Sequence, residues 1–172
     1  MDSNSTYSID DWVVHSYYGV GQIKRVEVKP INEEDTECFK VKTKDSTFWF
    51  PTTDTENPRI RPVATQALMK KVVRQLKSKP DMLDADKTEW KKRIGEVQAE
   101  GDLLSISILI RDLSAQQMVR ELNQTEKNAL EHFKERLLRE WASITQEEIE
   151  QLRATLHAHI AKSQAKIKAE TA

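Results

Sequence analysis

The hydrophobic pattern of the chain changes near residue 62. Before that point, short runs of Val, Phe, Trp and Thr alternate with polar turn residues, which is typical of β-strands. After it, apolar residues recur every three or four positions, as they do on the buried face of an amphipathic helix. The sequence therefore predicts a β module at residues 7–63 and a helical domain at residues 64–168, which together make an α+β protein.

Five strands are predicted in the first part of the chain. They cover Trp12–His15, Gly21–Lys29, Thr36–Thr43, Thr47–Phe50 and Ile60–Arg61. So many short strands in about fifty residues have few ways to bury a core except by curling, so we expect an SH3/Tudor-like β-barrel. His15 precedes the turn between the first two strands, and we expect it to hold that turn by a hydrogen bond.

The remaining chain is predicted to form five helices. The first two run from about Thr65 to Lys77 and from about Asp86 to Glu100, and Asp102 can cap the third. Asn123–Glu126 and Thr145–Glu148 have the spacing of capping boxes and should open the fourth and fifth. The third helix has the clearest buried stripe, formed by Leu103, Ile106, Leu109, Ile110 and Leu113.

The charge distribution is more informative than the total charge. The chain has 27 basic and 28 acidic residues and a formal net charge of −1, so composition alone does not indicate nucleic-acid binding. Residues 67–95, however, contain nine basic and four acidic residues, whereas the segments on either side are net negative. We expect any contact with a polyanion to lie in this middle segment.

Several classes of function find no support in the sequence. The single Cys38 cannot form an intrachain disulfide, and the four histidines lack the spacing of metal ligands. No nucleophile or carboxylate pair comes with a recognisable base and orienting partner, so we expect no enzymatic activity and no cofactor. The polar N-terminus and the absence of long apolar runs predict a soluble cytoplasmic protein with no membrane segment.

A set of motifs occurs in one order along residues 9–143. In the β part they are Asp11-x-Val-Val-His15, Gly19-Val-Gly-x-Ile23, Phe39-Lys-Val-Lys42, the aromatic strand ending at Pro51, and Arg59-Ile-Arg-Pro-Val63. In the helical part they are Trp90 with its basic neighbours, Gly101-Asp102, Ile110-Arg-Asp-Leu113, Leu122-Asn-Gln-Thr-Glu-Lys127 and Leu138-Arg-Glu-Trp-Ala142. In these motifs and their order the chain resembles the CarD/CdnL family of bacterial transcription regulators.

The resemblance implies a division of labour between the two parts. A Tudor-like module would bind the β subunit of bacterial RNA polymerase, with contacts at Lys29 and Trp49. Trp49 departs from the family's usual basic residue at this position. If Phe48 and Phe50 point into the module, strand alternation turns Trp49 outward, where it can serve as an apolar anchor.

The helical domain would touch promoter DNA at the upstream edge of the transcription bubble. The resemblance makes Trp90 a wedge in the minor groove, with phosphate contacts from its basic neighbours and from Lys127. Those neighbours are Lys87, Lys91, Lys92 and Arg93. The alternative is that Trp90 belongs to the core, because Ile94 and Val97 follow it at i+4 and i+7 and would share its face. Trp90 also lies about one helical turn nearer to Gly101 than in the family.

The expected function is a non-catalytic regulator that stabilises the open promoter complex with little sequence specificity and is monomeric when free. A first alternative is a protein–protein adaptor that binds polymerase and recruits another protein through Leu104 and Ile108, without contacting DNA. A second is a dimer whose seam is the stripe formed by Leu152, Leu156 and Ile160.

Overall fold

A computed structural model describes residues 6–54, 56–81 and 84–171 of the chain. The chain divides into two compact units, Met1–Val63 and Ala64–Ala172, and each unit has its own apolar core. In the described residues the first unit forms five antiparallel strands and the second forms five helices. The predicted α+β class is confirmed.

The strands of the first unit form one sheet. They are β1 (Trp12–His15), β2 (Gly19–Ile31), β3 (Glu34–Thr43), β4 (Thr47–Pro51) and β5 (Ile60–Pro62). Their order in the sheet is β4-β3-β2-β1-β5, and all neighbours are antiparallel. Each strand matches a predicted one, but β2 and β3 continue further and form a long hairpin that pairs Ile31 with Glu34 at its tip.

The sheet does not close into the predicted barrel. β4 and β5 are the two edges of the sheet, and no pairing joins them among the described residues. Closure would require a hydrogen-bond ladder between these edges. Pro51 ends β4 and Pro62 ends the three-residue β5, and proline cannot donate a backbone hydrogen bond, so both strands are suited to an edge position.

The inward face of the sheet holds the core of the first unit. Its buried apolar side chains are Val13, Ile23, Phe39, Val41, Phe48, Phe50 and Ile60. Backbone and core approach each other so closely at Gly21 that a Cβ there would lie 2.7 Å from Cγ1 of Val41. On the opposite side of β3 the single cysteine, Cys38, is completely buried, and burial raises the pKa of its thiol.

The helices of the second unit surround a central one. They are α1 (Gln66–Lys77), α2 (Lys87–Glu100), α3 (Leu103–Val119), α4 (Gln124–Thr145) and α5 (Ile149–Thr171). α3 contacts each of the other four helices and is buried along most of its length. Its predicted stripe of apolar residues is fully buried, which confirms the helical phase read from the sequence.

Side-chain caps start the first four helices. Thr65, Asp86, Asp102 and Asn123 each accept a hydrogen bond from the backbone N–H three residues further on. The predicted capping box at Asn123–Glu126 is confirmed, whereas the one at Thr145–Glu148 is wrong. Thr145 is the last residue of α4 and its hydroxyl donates to the carbonyl of Trp141 at 3.2 Å, so it cannot cap α5, which begins at Ile149.

A buried charged group joins three helices of this unit. The carboxylate of Asp112 on α3 accepts hydrogen bonds from Arg93 on α2 and from Arg111, both at 2.7 Å. It also accepts from the backbone N–H of Asp81 at 3.0 Å. Arg111 in turn donates to Gln75 in α1 and to Ser78, the residue that follows α1. We call Asp112, Arg93 and Arg111 the Asp112 cluster.

α5 packs within its own unit. Leu152, Leu156 and Ile160 are buried in the helical core, and α5 contacts α1, α3 and α4. The hydroxyl of Ser163 donates to the carbonyl of Ser78 at 2.7 Å, which fixes α5 beside the end of α1. The apolar stripe proposed as a dimer seam is therefore already covered within its own unit and is not available as that seam.

Candidate functional site

Trp49 lies on the outward face of the sheet. Its neighbours Phe48 and Phe50 are buried, whereas the Trp49 side chain is 41% exposed, so the predicted orientation of β4 is confirmed. The indole is not free to swing, because its N–H donates to a carboxylate oxygen of Glu27 at 2.9 Å.

Basic side chains surround this ring. The Lys29 ammonium lies 4.5 Å from the centre of the Trp49 ring and 3.6 Å from the Glu27 carboxylate. Lys40 approaches the same carboxylate at 3.5 Å, and Arg25 forms a close ion pair with it. The structure thus brings together Lys29 and Trp49, the two residues predicted to bind the polymerase. We call Arg25, Glu27, Lys29, Lys40 and Trp49 the Trp49 face.

Glu27 is the common partner within the Trp49 face. Hydrogen bonds from Trp49 and then from Arg25 lower the pKa of its carboxyl to about 2, so it is ionised at neutral pH. Three cations surround this one anion, and the surface is suited to an acidic partner with an apolar pocket. Sequence reasoning missed Glu27, although the alternation of Arg25, Glu27 and Lys29 along β2 indicates that they share a face.

Trp90 is buried, contrary to the expected exposed indole. Its side chain is 0% exposed and belongs to the helical core. Val97, two turns further along α2, belongs to the same core. The two residues are seven apart and lie on the same face of the helix. The structure therefore agrees with the alternative that Trp90 packs in the core. The indole Nε1 has no hydrogen-bond partner among the described residues.

Arg93 also turns inward. Its guanidinium lies 5.3 Å from the centre of the Trp90 ring and bonds the buried carboxylate of Asp112 at 2.7 Å. Because this pair is largely removed from solvent, Arg93 does not face solvent as a phosphate contact would, and the structure does not support its predicted role. The partner, Asp112, lies on another helix and could not be assigned from the sequence of α2.

The lysines predicted to contact DNA are on the surface. Lys87, Lys91 and Lys92 are exposed on α2, and Lys92 has a loose ion pair with Glu96 at 3.9 Å. Lys87 and Lys91 line a shallow cleft of about 350 Å³ opposite the beginning of α4. The other residues of this α2–α4 cleft are Thr88, Ile94, Asn123, Thr125 and Glu126.

Acidic groups offset part of the charge near the α2–α4 cleft. The buried carboxylate of Glu126 receives two hydrogen bonds from Arg120, at 2.9 and 2.8 Å, and these lower its pKa together with the backbone N–H of Asn123 and the charge of Lys87. Lys127 pairs with Glu121 at 3.1 Å on the surface. Lys127 directly follows the cleft residue Glu126 in the sequence, but its ammonium group already has an acidic partner.

The described residues contain no group of three His, Cys, Asp or Glu side chains arranged to hold a metal ion. None of the helices in the described part of the chain combines the length and apolar character needed to cross a membrane.

Two family models match this chain. The CarD-like/TRCF RID domain matches residues 7–64, and the C-terminal domain of CarD matches residues 71–157. The chain belongs to the CarD-like family. No individual curated protein matches it. CarD-like proteins are non-catalytic transcription factors that interact with RNA polymerase, and both of their domains are present here in the expected order.

Proposed function

We propose that this CarD-like protein binds the β subunit of bacterial RNA polymerase through its Trp49 face and stabilises the open promoter complex through contacts between the helical unit and DNA. The observation that carries the proposal is the pairing of Lys29 with Trp49 at 4.5 Å, within a unit that matches a polymerase-interacting domain. A half-exposed aromatic ring held among cations is the type of anchor that dominates protein interfaces.

The Trp49 face is preorganised for docking. Glu27 holds the indole and three cationic side chains in place, so less side-chain entropy is lost when a partner binds. The cations would meet acidic groups on the β subunit while the ring enters an apolar pocket. β4, which carries Trp49, is an edge strand and can accept an added strand from the partner.

The DNA contact is proposed at the α2–α4 cleft. Lys87 and Lys91 would hold backbone phosphates there. Lys92, exposed on the same helix, and Lys127, in the first turn of α4, could add further phosphate contacts. The N-terminus of α4 borders the same cleft, but its capping box already places the Glu126 carboxylate there, so the proposed contact depends on the lysines. Such contacts are electrostatic, so they should weaken with salt and depend little on base sequence.

Trp90 has a different role in this proposal. A buried indole can enter the minor groove only after leaving the core, and removing such a ring from a core costs about 3–5 kcal/mol. We propose that Trp90 fixes α2 against the core and so positions the lysines. Docking on the polymerase raises the local concentration of the helical unit beside the bubble, so a weak DNA contact is sufficient.

Polymerase binding can be tested by retention of the isolated β-subunit lobe on immobilised protein. Trp49→Ala or Lys29→Glu should abolish retention, because each removes a central part of the Trp49 face. Lys44→Glu changes an exposed lysine of the same unit and is the matched control, which should bind normally. Unchanged retention of the Trp49 and Lys29 variants would refute the proposed docking surface.

The DNA role can be tested by the lifetime of open promoter complexes after addition of a competitor. Lys87→Gln combined with Lys91→Gln should shorten the lifetime while polymerase binding persists. Trp90→Phe keeps a buried ring and should preserve both the fold and the lifetime. If Trp90→Phe shortens the lifetime without lowering the melting temperature, insertion of the indole is the better explanation and the lysine mechanism is wrong.

The adaptor alternative has less support. Leu104 is half-buried and packs against the helical core, and Ile108 is also half-buried on the enclosed helix α3. Neither side chain presents the broad exposed apolar surface that recruitment of a second protein would require.

A further inference from the structure

The excess of positive charge in the middle of the chain does not come from α2. Residues 67–80 contain five basic residues and no acidic ones, whereas residues 81–95 contain four of each. The segment that carries the cleft lysines is thus neutral overall. The whole excess lies in and just after α1, which neither the sequence motifs nor the proposed cleft includes.

The cations of α1 lie on one side of the helix. Lys70, Arg74 and Lys77 are spaced i, i+4 and i+7, and Lys71 borders them. Lys70, Lys71 and Arg74 are exposed and Lys77 is half-buried. The opposite side is formed by the buried residues Met69, Val72 and Leu76. We call Lys70, Lys71, Arg74 and Lys77 the α1 face; at 1.5 Å per residue it spans about 10 Å.

In the part of the chain that the structure describes, no acidic side chain pairs with the α1 face. α1 contains no Asp or Glu, and no ion pair involves any of its four cations among the described residues. α5 adds Lys162 to this positive region. Burial and then the charges of Lys77 and Lys162 lower the pKa of His159, so this ring stays neutral beside them. Like charges clustered in this way repel one another and favour an anionic ligand that relieves the repulsion.

We propose that the α1 face is a second nucleic-acid contact that binds backbone phosphates. The exposed residues of helix α1 are lysine, arginine, glutamine and alanine, with no exposed aromatic ring or large apolar side chain to anchor a protein. Lysine is depleted in protein interfaces, whereas phosphate contacts need little besides accessible positive charge. That the phosphates belong to promoter DNA rests on the function proposed above; the phosphate contact itself does not.

The Asp112 cluster connects this face to the α2–α4 cleft. α1 and α2 both pack against α3, and Asp112 holds Arg93 of α2 while Arg111 bonds Gln75 of α1. The two cationic surfaces therefore belong to one rigid group of helices. A duplex that contacts both would neutralise more phosphates than the cleft lysines alone.

The test uses the full-length chain and a short fluorescein-labelled DNA duplex of scrambled sequence, with affinity followed by anisotropy over a range of salt concentrations. The triple variant Lys70→Gln, Arg74→Gln, Lys77→Gln should bind at least about tenfold more weakly at low salt, and its salt dependence should be shallower by about 2–3 in logarithmic slope, at roughly 0.9 per phosphate lost. Circular dichroism should report an unchanged fold, because Lys70 and Arg74 are exposed and glutamine keeps much of the apolar stem of the half-buried Lys77.

The matched control removes the same charge from the other unit, by Lys24→Gln, Lys42→Gln and Lys44→Gln, and should bind DNA like the unmodified chain. An equal loss in control and α1 variant would mean that only net charge matters and would overturn the proposal. So would an α1 variant with unchanged affinity and slope, or tighter binding of the unmodified chain to polyglutamate than to DNA.

Lys87→Gln with Lys91→Gln, measured in the same assay, separates the two proposals. If this cleft variant loses affinity and the α1 variant does not, the cleft contact stands and the α1 face is wrong. If the α1 variant alone loses affinity, the α1 face stands and the cleft is wrong. Failure of the unmodified chain to bind the duplex at all would overturn the α1 proposal as well as the cleft contact.

Discussion

For single residues, the degree of burial decides whether a charged or aromatic side chain can contact a partner. Trp49 and Trp90 are both flanked by cations, at 4.5 Å from Lys29 and 5.3 Å from Arg93, respectively. One ring is half-exposed and the other is enclosed. Only the first can meet a partner without rearrangement of the unit that carries it.

Asp112 should be the most sensitive polar residue of the helical unit. Asp112→Asn leaves the buried guanidiniums of Arg93 and Arg111 without their anion, and breaking such a group typically costs about 3–5 kcal/mol. Urea unfolding measures the loss in free energy of unfolding. Glu121→Gln removes an exposed ion pair with Lys127 and should cost about 1 kcal/mol or less. Equal effects of the two variants would contradict this account of the Asp112 cluster.

Two histidines should make stability depend on pH. Partial burial, with the charges of Lys77 and Lys162, lowers the pKa of the half-buried His159. The pKa of His132, whose side chain is largely exposed, is lowered in the same direction by desolvation and by Arg136 and Arg139. The folded state thus prefers the neutral rings, whereas the unfolded chain takes up protons as the pH falls through about 6.5. The free energy of unfolding should therefore decrease from pH 7 to pH 5.

The pH effect can be checked by urea unfolding at a series of pH values. His132→Gln with His159→Gln should flatten the dependence in this window, while His157→Gln, on the exposed side of α5, should leave it unchanged. A dependence of undiminished steepness in the double variant would assign it to other groups.

For helices and strands, an interaction within one turn was predictable from the sequence. The choice between continuing one helix and capping the next was not. The cap at Asn123 was predicted because its partner, Glu126, lies within the same turn. The cap at Thr145 was not formed because α4 continues through that residue and ends at Gln146 in the left-handed conformation, with φ of 60°. The sequence supports both outcomes at Thr145, and the packing of α4 selects between them.

Gly95 within α2 and Gly101 directly after it give a matched pair of substitutions. Gly101 caps the helix with φ of 66°, so Gly101→Ala should destabilise the chain by about 1 kcal/mol through backbone strain. Gly95 lies inside the same helix with open space around it, so Gly95→Ala should stabilise by about 0.5–1 kcal/mol. Thermal melting of both variants measures the difference, and a shift of the same sign in both would contradict it.

At the scale of the whole molecule, the two units carry different candidate surfaces on separate cores. Most of this organisation was predictable from the sequence, because strand alternation and helical periodicity are local. The inward turn of Trp90, the pairing of Arg93 with Asp112 and the open edge of the sheet were not, because each depends on which distant elements meet. The basic segment was predictable from the sequence, but the α1 face within it was not, because its cations belong to no motif.

Separate surfaces lead to a testable dependence on concentration. Trp49→Ala should leave the affinity for free DNA unchanged. The variant protein should still prolong the open-complex lifetime, but only at much higher concentration, because docking no longer supplies a high local concentration. Titration of the variant into a lifetime assay measures this shift. If a large excess of Trp49→Ala still has no effect on lifetime, docking would do more than deliver the helical unit.

The burial of Cys38 makes its thiol a natural probe for local opening of the first unit. A disulfide reagent reacts with the thiolate, and this sulfur is both shielded from solvent and reluctant to ionise, so modification has to wait until the strands part. With no second cysteine in the chain, the labelling rate records that opening alone. Slower labelling of Cys38 in the presence of a bound partner would then measure how far that partner suppresses opening of the sheet, without any engineered probe.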